Sequence, residues 1–353
     1  MTRISESWLG ALLAMGTLCA CRGARPAPVP PPEPFTRESV LERLRPSYPF
    51  TRLPPDDLPV GVRAEENLVY ARLPAESGAS DRTTDLSLDL YLPAGPGPHP
   101  AVIVVHGGGW ERGDRRAERP FAKRLAGLGY VAAPVSYRLG PAGRFPNALF
   151  DLEAAVRWLR ANAARYGIDP SHVGAVGGSS GGHLVALLGA TTGVAALRPG
   201  GAGADVDVQA VVDIDGLADF TGPSLVAKEE RNPGAPTRFL GGSFARRQAT
   251  WRLASPLTHA SARSAPTLFI NSSSTSGAPR ADAPILPGRL EMRNRLRSVG
   301  VDAEIVIFPD TPHPFWLVNP WFEGVLSQTD IFLRRHLRGS KGPPSDSPSM
   351  RPR

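Results

Sequence analysis

The chain has 353 residues, 41% of them apolar, with 40 Lys and Arg against 33 Asp and Glu for a formal charge of +7. That length can bury the core of one large α/β domain or two smaller ones, and nothing in it repeats at a fixed period. The positive charge does not imply a nucleic-acid partner: lysine occurs only at Lys123, Lys228 and Lys341, and the arginines are dispersed with no phosphate-binding stripe.

The first residues, "MTRISESWLGALLAMGTLCAC", join a short polar start carrying Arg3 to an apolar run from Trp8 to Ala20 that is too short for a permanent span. This is the pattern of an export signal. Its ending, Leu18-Cys19-Ala20-Cys21, resembles a bacterial lipobox, in which Cys21 becomes the lipidated N-terminal residue after cleavage. Cys19 and Glu6 depart from that pattern, and an ordinary secretory signal giving a periplasmic or secreted product is the alternative. With Arg22 after the cysteine, the outer membrane is the expected location, and the lipid anchor the only membrane contact. Cys19 and Cys21 are the only cysteines, so the exported domain has no internal disulfide. "RGARPAPVPPPEP" then opens a Pro-rich spacer and N-terminal extension over 22–64, and "GSKGPPSDSPSMRPR" closes the chain at 339–353 as a polar tail unable to fold.

Between these tails, over 65–338, strand and helix patterns alternate. Residues 67–73 and 86–92 alternate apolar with polar and predict an antiparallel pair at a sheet edge. Denser apolar runs at 101–107, 131–137, 172–177, 210–216, 267–272 and 303–308 predict buried parallel strands. Helical patterns cover 118–128, 146–166, 180–190, 288–298 and 321–337; in the second, Phe150, Ala154, Val156, Leu159 and Ala163 form one stripe. This order predicts a doubly wound, mostly parallel sheet with helices on both faces. Residues 217–264 interrupt it and are expected to be a lid over the substrate site or an ordinary surface excursion.

At the predicted junction of the 172–177 strand and the 180–190 helix lies "AVGGSSGGHL", in which both Ser179 and Ser180 can be the centre of Gly-x-Ser-x-Gly. A serine nucleophile needs a strained strand-to-helix turn with small residues two before and two after it. Both registers satisfy that demand. The third residue after Ser179 is Gly182, which lets the helix lie close to the sheet; after Ser180 it is the bulky His183, so Ser179 is favoured. Strand 101–105 ends in "HGGGW", where backbone N–H groups of Gly108 and Gly109, with that of Ser180, can approach a developing oxyanion.

"HGGGW" followed by "GGSSGGHL" resembles the α/β-hydrolase superfamily, specifically its exported carbohydrate-ester esterases and lipase-like serine hydrolases. The resemblance implies an α/β-hydrolase fold and a base histidine after the last strand, which places that role on His313 in "PDTPHPFWLVNPWF". It also implies an Asp after the seventh strand, but "LFINSSSTSGAP" supplies none. The acid is therefore expected at Asp215, at the end of the sixth strand, with Glu291 and then Asp282 as alternatives. Trp110 and Trp316 are candidate platforms for a sugar ring. The expected activity is hydrolysis of short acyl esters, acetyl-like and carbohydrate-borne, with a general short-chain esterase or peptidase and a catalytically silent surface module as rivals. The chain contains no metal-ligand spacing, dinucleotide fingerprint or Walker motif, so no cofactor or metal is expected.

Overall fold

A computed structural model describes residues 35–74, 84–198, 204–273 and 286–338. The signal-like segment with Cys21, Asp282 and the tail from 339 lie outside these residues. Alternating and dense apolar runs become β1 (Arg63–Leu73), β2 (Thr84–Leu92), β3 (His99–Val105), β4 (Val131–Val135), β5 (Ile168–Gly178), β6 (Ala210–Ile214), β7 (Thr267–Ser272) and β8 (Ala303–Phe308). They form one sheet in the order β1-β2-β4-β3-β5-β6-β7-β8. β2 is antiparallel to both β1 and β4, and every pair from β4 to β8 is parallel.

Because strand side chains alternate between faces, β3 divides its apolar residues between two cores. Ala101, Ile103 and Val105 face one core with helices α3 (Asn147–Ala161) and α5 (Ser180–Ala190), through Leu152, Val156, Leu184 and Leu188. Val102 and Val104 face the other core with α2 (Arg119–Gly127) and α11 (Trp321–Leu337), through Phe121, Leu125, Phe322 and Leu333. α10 (Arg289–Ser298) lies beside β8 and buries Met292 and Leu296 in a smaller cluster with Phe269. This doubly wound parallel sheet is the α/β-hydrolase fold.

Three details differ from the sequence-based expectation. The N-terminal extension is part of the domain from residue 35: α1 (Arg37–Leu44) is capped by Thr36 and buries Val40, Leu41 and Leu44, while Phe35 and Val62 join the same core. The 146–166 helix breaks at Asn162, whose side-chain amide donates to Trp158 O at 2.8 Å; the last turn, α4 (Ala163–Tyr166), is separate. The buried stripe of α3 also runs one residue round from the expected one, through Leu149, Leu152, Val156 and Leu159, leaving Phe150 half-buried. The 217–264 insert is helical, with α6 (Pro223–Arg231), α7 (Ala235–Phe239), α8 (Phe244–Leu253) and α9 (Pro256–His259).

One buried carboxyl has a stability consequence. Glu118, between β3 and α2, is only 3% exposed and accepts a 3.3 Å hydrogen bond from the indole N–H of Trp316. Burial pushes its carboxyl up to about 7, against the Trp316 bond and the Arg37 charge. The folded protein therefore holds this proton more tightly than the unfolded chain. The resulting stabilisation is complete below the unfolded value and is lost as pH rises through about 7. Glu118→Gln keeps the shape without the titration, so its melting temperature should gain on wild type between pH 5 and pH 8, by roughly a few degrees for a domain of this size. Thermal melts at the two pH values check this; a constant difference would contradict it.

Candidate active site

The parallel sheet brings the C-terminal ends of β3, β5, β6 and β8 to one edge, where chemical groups gather in such folds. A single residue, Ser179, joins β5 to α5, with φ 55° and ψ −118°, a conformation that side chains rarely adopt. Its N–H is held by Ile214 O at 2.7 Å. Glycine makes that turn possible. A Cβ on Gly182 would stand 2.4 Å from Asp213 Oδ1 and 3.0 Å from Gly216 N, so the helix could not approach the end of β6. Ser180 is instead the first residue of α5, 2% exposed, with its Oγ 3.5 Å from the Tyr137 hydroxyl.

His313 lies on the loop after β8 and faces both partners. Its Nε2 is 3.0 Å from Ser179 Oγ, and its Nδ1 is 3.0 Å from Asp215 Oδ2. The Asp215 contact places the imidazole proton on Nδ1, which leaves Nε2 to accept from the serine. Asp215 follows β6 at φ 54°, its N–H donates to Ile270 O at 2.9 Å, and its Oδ1 accepts from Ser272 N at 2.7 Å. Burial works to raise this carboxyl, but the His313 bond and charge, the Arg289 guanidinium and the Ser272 N–H outweigh it and hold it below the ordinary value. Glu291 stands exposed on α10 and has no hydrogen bond or ion pair among the described residues.

In the "HGGGW" loop, Gly108 O closes a turn by accepting from Glu111 N and Arg112 N at 3.3 and 3.2 Å. Among the described residues, no acceptor occupies the N–H of Gly108, Gly109 or Ser180. Gly109 and Ser180 line the same cavity as Ser179. Unpaired donors beside a serine hydroxyl can receive negative charge formed on a carbonyl oxygen.

Of the two tryptophans, Trp316 is no sugar platform, whereas Trp110 lines the cavity. Trp316 is 1% exposed: its indole N–H goes to Glu118, its ring meets the His313 ring edge-on at 5.2 Å, and it occupies the space a Cβ on Gly178 would need. It supports the histidine from behind. Trp110 borders the cavity, but one face is stacked on Phe239 at 4.7 Å and its N–H donates to His183 Nδ1 at 3.2 Å. Aromatic residues next to the base in sequence are thus its packing, because burial of their area dominates.

The insert forms the far wall of the cavity, whose volume is about 460 Å³. Leu217, Ser224, Leu225, Lys228, Ala235 and Pro236 come from it. Several contacts fasten it down. Arg238 pairs with Glu111 of the glycine loop (Nη2 to Oε2, 2.8 Å), Phe239 stacks on Trp110, and His183 Nε2 donates to Ala254 O at 2.9 Å. Burial pushes His183 down to about 4, so it is a neutral bridge. Sequence reasoning missed Arg289, a fully buried guanidinium that donates to Asp213 O and Ile270 O at 2.6 and 3.0 Å and stands 3.8 Å from Asp215 Oδ1. No His, Cys, Asp and Glu cluster suited to a metal ion occurs among the described residues, nor does any helix there have the length and apolarity to cross a membrane.

Comparison with known proteins supports this fold. The family model BD-FAE matches residues 88–288, more than half of the chain. The mycobacterial (Mycobacterium tuberculosis) protein named "Probable carboxylic ester hydrolase LipM" is 32% identical over 49% of this chain, a stretch that spans 40% of its own length. The esterase Est2 of Thermogutta terrifontis, solved with propionate bound, is 25% identical with a TM-score of 0.59, covering 79% of this chain and 95% of its own. A truncated carbohydrate esterase from gut microbiota, at 22% identity and a TM-score of 0.62, covers 81% of this chain and 100% of its own and shares the fold. With its sheet order, its serine elbow and the family match across most of the described domain, the chain belongs to the BD-FAE family of α/β-hydrolase-fold proteins.

Proposed function

We propose that the protein is a serine carboxylic ester hydrolase that removes short acyl groups, acetyl or similar, from carbohydrates or related alcohols through an acyl-enzyme on Ser179. Two consecutive 3.0 Å hydrogen bonds, Ser179 to His313 and His313 to Asp215, carry the assignment. Ser179 Oγ bonds to the ester carbonyl carbon as its proton passes to His313 Nε2, and Asp215 stabilises the imidazolium through Nδ1–H. The carbonyl electron pair moves onto oxygen, which accepts from Gly109, Gly108 and Ser180 N–H. The intermediate collapses, the alcohol leaves with the proton from His313, and water repeats the sequence to release the acid and restore Ser179.

Est2, with propionate or with butyrate bound, supports a short acyl group here, as does a cavity of about 460 Å³. A carbohydrate alcohol has the support of the GH43-CE bifunctional protein of Bacteroides eggerthii, 25% identical over 77% of this chain. A silent binding module is motivated by the missing carboxylate after β7; Asp215, at hydrogen-bond distance from His313, removes that motive.

Ser179→Ala should lower turnover of an acetyl ester by about 10³-fold or more, while Ser180→Ala retains a measurable fraction because alanine keeps the backbone N–H. Steady-state kinetics on both variants checks this, and the reverse ranking would overturn the assignment of the nucleophile. For location, the proposal is export with a lipid anchor on Cys21. Cys21→Ala should then move the protein from membrane to soluble fractions with specific activity retained. Membrane association that survives the substitution removes the anchor.

A further inference from the structure

Among the described residues, Lys228 is the one cation that lines the cavity containing Ser179. It stands on α6, whose register in the wall is fixed from both sides. Leu225, three residues earlier, is buried, and Glu229 is 2% exposed, accepting from Gly234 N at 2.7 Å and the Thr237 hydroxyl at 2.9 Å. Residues three and four apart share a helix face, and Ser224, Leu225 and Lys228 accordingly all reach the cavity. The Lys228 ammonium has no carboxylate partner among the described residues, whereas Lys123, the other described lysine, is paired with Asp56 at 2.7 Å. The cavity's other ionisable group, Asp215, has no exposed side chain and is occupied by His313 and Ser272. The rest of the lining among the described residues is apolar or neutral, including Leu217, Leu286, Pro287 and Pro236. An ammonium without a carboxylate partner among the described residues, in the lining of the cavity that holds the serine, attracts an anion, since the Asp215 carboxylate is enclosed and already paired.

We infer that Lys228 selects esters carrying a carboxylate, on the acyl or the alcohol portion, so that the preferred substrates are monoesters of dicarboxylic acids or acylated uronic acids. The inference rests on the esterase reading above and adds its substrate class. The carboxylate would pair with the Lys228 Nζ while Leu225 and Leu217 cover the carbon chain between it and the ester. The chain's net charge of +7 steers such anions toward the protein in the same sense.

The test uses two isosteric pairs: monoethyl succinate against ethyl butyrate for a carboxylate on the acyl side, and a mono-O-acetylated glucuronate against the same acetylated glucose for one on the alcohol side. Wild type should have the higher kcat/KM for the anionic member of at least one pair, and the pair that shows it identifies the side. Lys228→Met should then reduce the anionic member's kcat/KM by about fivefold more than the neutral member's, mainly through KM, as expected for one solvent-accessible ion pair. Lys228→Arg should restore the preference, and salt should weaken it in wild type. No anionic preference in either pair, a preference that survives Lys228→Met, or equal losses on both members overturns the inference while leaving the esterase reading standing. Failure of wild type to hydrolyse any of the four esters overturns the esterase reading, and this inference with it.

Discussion

A carboxylate closed off from water at the end of β6 is the constraint around which the site is built. Moving such an ion into the protein costs about several kcal/mol unless it is well paired. Asp215 has three compensating neighbours, the His313 ring, the Ser272 N–H and the Arg289 guanidinium, and the last is held in place by the β6 and β7 carbonyls of Asp213 and Ile270. Arg289 is itself buried, between Asp213 and Asp215, each 3.8 Å away. The two aspartates are pushed apart. Burial, with the Asp215 charge, drives Asp213 upward, whereas Asp215 is held down by its own donors. With opposite shifts of neighbouring carboxyls, Asp213 holds a proton more tightly than Asp215, so that Asp215 carries the charge that orients His313.

The same corner determines where the serine can be. Ser179 is tied to Ile214, the last residue of β6, and α5 comes within van der Waals range of Asp213 because Gly182 has no side chain. Ser179 and Asp215, both at positive φ, are thus fixed to the same strand end, and His313 spans the gap between them with Trp316 and Glu118 behind it. Strained residues persist only where their surroundings over-determine them, and here Ser179 is held by the β6 end and Asp215 by β7, His313 and Arg289. The insert adds a third boundary, since Arg238, Phe239 and Ala254 bind it to the glycine loop and to α5.

Much of this was legible in the sequence because local pattern and chemistry coincide there. Dense apolar runs locate the parallel strands, and the Gly182-versus-His183 comparison separates Ser179 from Ser180 by a packing requirement that the elbow meets. The rank order of acids, with Asp215 before Glu291, follows from the rigidity of a strand end, and the hydrogen bond to His313 is with Asp215. Three other features were obscured. The proline-rich N-terminus conceals α1, although Val40, Leu41 and Leu44 have helical spacing, since composition outweighs so short a pattern. Trp316 is close to His313 in sequence but points into the core, a direction fixed by Gly178 on a distant strand. Lys228 and Arg289 resemble ordinary charges until the tertiary fold places one on a cavity wall and buries the other completely.

The buried carboxylate is most directly tested by turnover of Asp215→Asn on an acetyl ester, with circular dichroism establishing that the variant is folded. The amide leaves the position filled but removes the charge that holds the His313 tautomer and stabilises its imidazolium. The account predicts a fall in kcat of about 10⁴-fold with the secondary structure intact. A folded Asp215→Asn protein retaining kcat within about tenfold of wild type would contradict it.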